Sequence, residues 1–186
     1  ITSRTSGGCI KLSPAIQHDD VEQLQHPFEI EYIEENGRVV QAVVWYGSLA
    51  TNAGLTSATS ITLDKTVASE FVHPPYSPTI KRWILEPNAA LERAGLHCGM
   101  ASELGAYELA PHLGLLSSDM EPMTPWFTYF EVLATTKLRI PKVAAELRKL
   151  RCTQVEVKTR GKAVDPNQWQ VKLNSSSSGQ LLTVFA

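Results

Sequence analysis

The segment FEIEYIEENGRVVQAVVWYG, residues 28–47, decides the first part of the fold. Its first half alternates apolar residues with glutamates, which is the period-2 pattern of a half-buried strand. The pair Asn36-Gly37 then tolerates the positive φ angles of a type I′ turn. A nearly continuous apolar run follows from Val39 to Tyr46. This order predicts a β-hairpin with the Asn-Gly pair at its tip.

Upstream of the hairpin, the sequence holds one short strand. The run GGCIKLSP at residues 7–14 predicts a strand that Pro14 ends, because proline lacks the N–H that a strand ladder needs. Residues 18–27 are acidic and contain two histidines, a composition that indicates a connection. We interpret residues 1–17 as the end of a larger domain or as a linker.

Downstream of the hairpin, strands and loops are predicted from composition. Residues 49–60 are rich in Ala, Thr, Ser and Gly and predict a loop, followed by a short strand at residues 61–63. Residues 82–86 and 126–133 predict two further strands.

One helix is predicted between those two strands. Asn88 is a suitable N-cap, residue 104 is the expected last helical position, and Gly105 is a suitable C-terminal stop. The apolar residues that share one face at helical spacing are Leu91, Ala94, Cys98 and Ala101.

The last third predicts a strand–helix–strand–helix–strand unit of about 60 residues that begins with the strand at 126–133. Pro141 can open the first helix, since its missing N–H is not needed in a first turn. Residues 153–159 predict the next strand, Asp165 caps a second helix, and residues 181–185 predict the closing strand. A unit of this size buries little core by itself.

These elements predict an α+β fold in two parts. Residues 18–135 form a mixed-sheet subdomain, for which a ferredoxin-like arrangement is one option. Residues 136–186 form a small α/β unit.

The net charge of −2 conceals an asymmetry along the chain. Residues 1–136 carry 7 Lys/Arg against 16 Asp/Glu, whereas residues 137–186 carry 10 against 3. A basic segment beside an acidic body indicates contact with a polyanion. The alternative is that the two oppositely charged parts dock on each other.

Several function classes lack their signatures. There is no GxSxG, HExxH, GxxxxGK[ST] or strand-borne GxGxxG motif, so no catalytic residue and no cofactor-binding residue is predicted. The three cysteines are widely spaced and no Cys/His cluster has the spacing of a metal site. No apolar run is long enough to cross a membrane, and no secretory signal is evident, so we expect a cytoplasmic protein without a membrane partner.

The strongest candidate for binding is the run Lys158-Thr-Arg-Gly-Lys162, which extends from the end of a strand into a glycine turn. Side chains two residues apart on a strand point to the same side, so Lys158 and Arg160 would present donors to one surface. Lys162 would lie in the turn that follows, and the three side chains would form a strip of phosphate contacts. The alternative is a solvated edge strand whose lysines resist aggregation.

Five collinear segments resemble bacterial class I S-adenosylmethionine-dependent methyltransferases that carry a C-terminal THUMP-like domain. They are VEVKTRGKAVDP at 155–166, FEVL at 130–133, LEPNAALERAGL at 85–96, WYGSLA at 45–50 and IKLSP at 10–14. The last of these resembles the piece that ends the methyltransferase core. The serine run at residues 175–178 departs from the charged loop expected in that family.

The resemblance implies that residues 1–17 end a methyltransferase core or are a linker, and that residues 136–186 are the THUMP-like domain. The S-adenosylmethionine site of the parent protein would lie upstream, so we expect no cofactor in this chain. The expected partners are structured RNA (tRNA or rRNA), the upstream methyltransferase domain and, as a further possibility, a second copy of the chain. The candidate RNA-binding residues are Lys158, Arg160 and Lys162, with Arg148, Lys149 and Arg151 at the end of the preceding helix.

Two other functions stay open at this point. The chain can be a purely structural module that covers the methyltransferase core or mediates dimerisation without touching RNA. A self-standing enzyme of another type is the third possibility.

Overall fold

A computed structural model of the chain describes residues 4–16, 20–21, 27–70, 75–121, 123–175 and 179–186. The chain divides into two compact units, Ile1–Glu131 and Val132–Ala186. Most of the acidic connection predicted at 18–27, and most of the serine run at 175–178, lie outside the described residues. No helix in the described ranges is long and apolar enough to cross a bilayer.

The first unit opens with a five-stranded sheet in the order β1-β3-β2-β4-β5. The strands are β1 (Gly7–Leu12), β2 (Phe28–Glu35), β3 (Arg38–Gly47), β4 (Thr56–Ser60) and β5 (Lys65–Ser69). All neighbours are antiparallel except β2 and β4, which are parallel. The predicted hairpin is confirmed as β2 and β3.

The turn of this hairpin has the predicted geometry. Asn36 has a φ of 52° and Gly37 a φ of 78°, as the two central positions of a type I′ turn require. One face of the sheet supplies the core of the unit through Ile30, Ala42 and Val44, all with no exposed surface. The alternation in the sequence therefore predicts the buried face correctly.

Residues 49–60 are not only a loop, because β4 runs through Thr56–Ser60, and the expected strand at 61–63 is a turn. β4 is buried yet almost wholly Ser and Thr, so it has no apolar alternation that composition could reveal. Its hydroxyls donate instead to glutamates of the neighbouring strand: Ser57 to Glu29, Thr59 to Glu31 and Ser60 to Glu34.

A second sheet of the first unit has the order β7-β8-β6-β9. Its strands are β6 (Trp83–Pro87), β7 (Tyr107–Glu108), β8 (Leu116–Ser118) and β9 (Phe127–Glu131). β6 pairs antiparallel with both β8 and β9. The strand predicted at 126–133 is therefore real, but it belongs to this sheet and does not open the C-terminal unit.

The predicted single helix is two short ones, α1 (Ala89–Arg93) and α2 (His97–Glu103). Asn88 caps α1 as expected, since its side chain accepts from the N–H of Ala90. The break between the helices falls at Gly95, whose φ of +70° ends the first helix. The face carrying Leu91, Ala94, Cys98 and Ala101 is buried as predicted.

The α+β class is confirmed. In the described residues of the first unit, however, both helices follow six strands in succession, which is not the βαββαβ order of a ferredoxin-like fold.

The second unit comprises α3 (Ile140–Lys149), β10 (Gln154–Lys158), α4 (Pro166–Leu173) and β11 (Leu181–Phe185). β10 and β11 are parallel, from Gln154 opposite Leu181 to Lys158 opposite Phe185. The unit has its own apolar cluster, whose buried members are Val143, Leu147, Cys152, Val155, Val157 and Leu173.

Helix α4 covers the edge of β10 that faces away from β11. Gln170 accepts from the N–H of Val157 at 3.2 Å, and Asn174, one helical turn later, accepts from the N–H of Val155 at 2.6 Å. N–H groups along a strand point alternately to its two edges. Those of Val155 and Val157 point to the edge of β10 that faces away from β11. Two amide side chains therefore satisfy a strand edge that would otherwise be open.

Candidate nucleic-acid interface

The predicted basic strip begins at the carboxyl end of β10. The main-chain ladder extends past the strand: the N–H of Ala186 donates to Lys158 at 2.9 Å, and the N–H of Arg160 donates to Ala186 at 3.3 Å. These bonds fix the backbone of Lys158 and Arg160. Both residues are half-buried, so part of each residue is exposed to solvent. Lys158 and Arg160 therefore lie two residues apart at the carboxyl end of β10.

A tight turn follows at Gly161 and Lys162, whose φ angles are 70° and 58°. Both residues are exposed. The turn reverses the chain between β10 and the start of α4, where Asp165 accepts from the N–H of Gln168 at 3.1 Å. Lys162 therefore stays at the same end of the unit as Lys158 and Arg160.

The hydroxyl oxygen of Thr159, the residue that follows β10, is the next polar group along the chain. It is buried and has no hydrogen-bond partner among the described residues. An unsatisfied buried hydroxyl costs about 1–3 kcal/mol. The carboxyl end of β10 thus holds a donor that the protein itself leaves unused.

The other three predicted residues occupy the C-terminal end of α3. Leu150 is the C-cap, Arg151 has a φ of 54°, and the N–H of Cys152 donates to Leu147 at 2.9 Å. With the N–H of Arg151 donating to Arg148, this is a Schellman motif. Lys149 is paired with Glu146 at 2.8 Å.

The structure therefore does not gather the six predicted residues into one cluster. Four residues separate α3 from β10, so the cations at the end of α3 lie near the first residue of β10, Gln154. Lys158 lies at the other end of a five-residue strand, roughly 13 Å away at about 3.3 Å per residue. The predicted strip and the cations at the end of α3 therefore lie at opposite ends of β10.

The comparisons with known proteins bear on this unit directly. Residues 127–186 match the family model described as THUMP domain-like. The chain carries a THUMP-like domain. The match includes β9, so the THUMP-like domain as the family defines it begins on the last strand of the first unit.

The chain as a whole has relatives as well. It is 28% identical over 177 residues to uncharacterized S-adenosylmethionine-dependent methyltransferases from two strains of Mycobacterium tuberculosis, CDC 1551 / Oshkosh and ATCC 25618 / H37Rv. The alignment covers 95% of this chain and 49% of each relative, so the chain spans about half their length. The resemblance predicted from the motifs is confirmed.

A solved structure has the same fold. The crystal structure of a putative methyltransferase from Porphyromonas gingivalis W83 superposes with a TM-score of 0.77 at 22% identity. The superposition covers 100% of this chain and 49% of the other.

Sequence reasoning missed three cations of the THUMP-like domain. Lys137, Arg139 and Lys142 are all exposed and surround the start of α3. Arg139 is the N-cap, and its side chain makes no capping hydrogen bond. The signal was present in the sequence, since a helix start without Ser, Thr, Asp or Asn and with three cations is unusual.

Two buried groups of the first unit, the Glu34 carboxylate and the Cys98 thiol, have shifted pKa values. Burial would raise the pKa of Glu34, but hydrogen bonds from Ser60, Asn88, Gly37 and Thr62 outweigh it and hold that pKa below its ordinary value. Burial, with the Glu108 carboxylate, raises the pKa of the Cys98 thiol to about 12. A thiol with that pKa is protonated at neutral pH and is a poor nucleophile.

The described residues contain no group of three or more His, Cys, Asp or Glu side chains placed to hold a metal ion.

Proposed function

We propose that this chain recognises and positions RNA for an RNA-directed S-adenosylmethionine-dependent methyltransferase. The observation that carries the proposal is the pair Lys158 and Arg160, held at the carboxyl end of β10 by main-chain bonds to Ala186. Lysine and arginine contacts to phosphates supply most of the sequence-independent affinity for nucleic acids. THUMP domains are associated with RNA binding, which favours RNA as the polyanion.

The cofactor belongs to the part of the relatives that this chain does not span. Both relatives are described as S-adenosylmethionine-dependent methyltransferases, and the chain matches 49% of their length. No Gly-rich turn of the dinucleotide-binding type follows a strand here. Isothermal titration of this chain with S-adenosylmethionine should give no heat of binding. A micromolar dissociation constant would contradict the proposal that the cofactor site lies outside this chain.

The RNA role is tested by changing Arg160 alone. Arg160→Ala should weaken binding to bulk tRNA and rRNA by a similar factor, because a phosphate contact carries no sequence information. Arg160→Lys should recover part of the affinity, since the charge survives while the bidentate fork is lost. Filter binding at low ionic strength measures both.

Thermal unfolding of the two variants is the control for that experiment. A wild-type chain that binds no structured RNA, or an Arg160→Ala variant that changes only stability, would contradict the proposal and favour a scaffold or dimerisation module.

A further inference from the structure

Six cations of the second unit lie in two segments that are distant in sequence. One segment surrounds the start of α3 and the other follows β10; the residues are Lys137, Arg139 and Lys142, and Lys158, Arg160 and Lys162. The first three, with Lys162, are exposed, and Lys158 and Arg160 are half-buried.

The direction of α3 places these segments at the same end of the unit. Four residues join α3 to the start of β10, and Val143 and Leu147 of the helix pack in the same cluster as Val155 and Val157 of the strand. Because the connection is short and the helix packs against the same apolar cluster as the strand, we infer that α3 runs antiparallel to β10. Ten helical residues span about 15 Å, close to the length of the strand, so the start of α3 lies level with the end of β10.

The start of α3 is electrostatically unfavourable in the protein alone. The N-terminus of a helix carries partial positive charge and favours anions. Here the first turn holds no acidic residue, and Lys137, Arg139 and Lys142 form no ion pair with the described residues. Repulsion of this kind lowers stability and is relieved by an anion.

The cations at the C-terminal end of α3, in contrast, lie where the helix dipole favours positive charge. Arg148 and Lys149 lie in the last turn, where positive charge is favourable, and Lys149 already pairs with Glu146. Arg151 occupies the C′ position of the Schellman motif. The helix itself therefore explains the positive charges of Arg148 and Lys149.

We propose that RNA phosphates bind the surface formed by the start of α3 and the carboxyl end of β10, which we call the carboxyl-end surface, and not the C-terminal end of α3. The carboxyl-end surface consists of Lys137, Arg139, Lys142, Lys158, Arg160 and Lys162. The inference rests on the proposed RNA-binding function and narrows it to one end of the unit.

Two variants of the full chain with equal loss of charge test the inference. The first is Lys137→Ala/Arg139→Ser/Lys142→Ala, and the second is Arg148→Ala/Lys149→Ala/Arg151→Gly. Each removes three positive charges. In the first variant, Ser at position 139 also supplies the missing N-cap acceptor, so the variant should be at least as stable as wild type.

The measurement is filter binding of bulk tRNA across a salt series, with thermal unfolding of each variant. Six contacts at about 0.7–0.9 released counterions each give an expected log–log slope of about −4 to −5 for wild type. The first variant should lose roughly tenfold or more in affinity at 0.1 M salt and two to three units of slope. The second should keep the wild-type slope within about one unit.

The outcomes separate the inference from the function on which it rests. Equal losses in the two variants, or a larger loss in the second, would overturn the inference and leave RNA binding intact. Absence of binding by the wild-type chain would overturn the proposed function itself. A first variant that is as stable as wild type but binds less RNA supports the inference, because a purely structural role would not weaken binding.

Discussion

Arg151 has a backbone conformation that its charge does not reveal. Its position in the sequence, after Arg148 and Lys149, suggested a third RNA contact. The structure places it in the left-handed conformation at the C′ position of α3, with a φ of 54°. Glycine is the usual residue there, because any side chain costs about 1 kcal/mol in that conformation. A backbone angle of this kind leaves no trace in composition or charge.

Arg151→Gly should therefore stabilise the protein by about 1 kcal/mol, since glycine adopts the left-handed conformation without strain. Arg148→Gly is the matched control: it deletes the same side chain in the last turn of α3 and should destabilise by about 1 kcal/mol. Urea unfolding of both variants measures the two free energies. Equal signs for the two changes would contradict the assigned cap.

Among the elements, β4 is the one that sequence patterns cannot reveal. The β2–β3 hairpin follows from alternation and an Asn-Gly pair, both local signals. β4 depends on glutamates that are 26 to 28 residues away, because Ser57, Thr59 and Ser60 donate to carboxylates of β2. Long-range polar pairing of this kind has no periodic signature.

Glu34 is the centre of this polar packing. The Glu34 residue is 1% exposed. Its carboxylate accepts hydrogen bonds from the N–H of Gly37 in the hairpin turn and from the side chain of Asn88 at the start of α1. It also accepts from the hydroxyls of Ser60, at the end of β4, and Thr62, in the turn that follows. These donors hold its pKa below the ordinary value of 4.5. A depressed folded-state pKa adds stability above the unfolded-state pKa, and that stability is lost as pH falls through the folded-state pKa.

Glu34→Gln should lower the free energy of unfolding at pH 7 by about 1.5–3 kcal/mol, because an amide cannot accept at both positions. The difference from wild type should shrink as the pH falls below 4.5, because the unfolded-state carboxylate takes up a proton there before the folded-state carboxylate does. Denaturant unfolding between pH 3 and 7 measures it. Glu35→Gln, at the exposed neighbouring position, should change stability by less than about 0.5 kcal/mol at every pH.

At the scale of the whole molecule, the sequence predicted the α+β class and the family, whereas the positions of the cations depend on the path of the chain. Charge asymmetry and the collinear motifs identified the basic THUMP-like domain. They could not show that Arg148 and Lys158 lie at opposite ends of the unit, since that depends on the path of β10. Lys137, Arg139 and Lys142 lie at the start of α3, where the unusual charge of the first turn was the signal for them in the sequence.

The second unit is small, and we expect it to fold poorly when isolated. Its cluster contains six buried residues, and a unit of about 55–60 residues buries too little apolar surface for secure stability. Residues 132–186 produced alone should give a poorly dispersed amide NMR spectrum and no cooperative melting transition. The full chain is the control. A well-dispersed spectrum with cooperative melting would show that this unit is an independent domain.

The most direct test of the RNA-binding account is the salt dependence of the affinity of the wild-type chain for bulk structured RNA. Filter binding across a salt series should give a linear log–log plot with a slope of about −4 to −5 for the six cations of the carboxyl-end surface. A slope of about −2 to −3 would match Lys158, Arg160 and Lys162 alone. No measurable affinity at low salt, or an affinity indifferent to salt, would contradict the account.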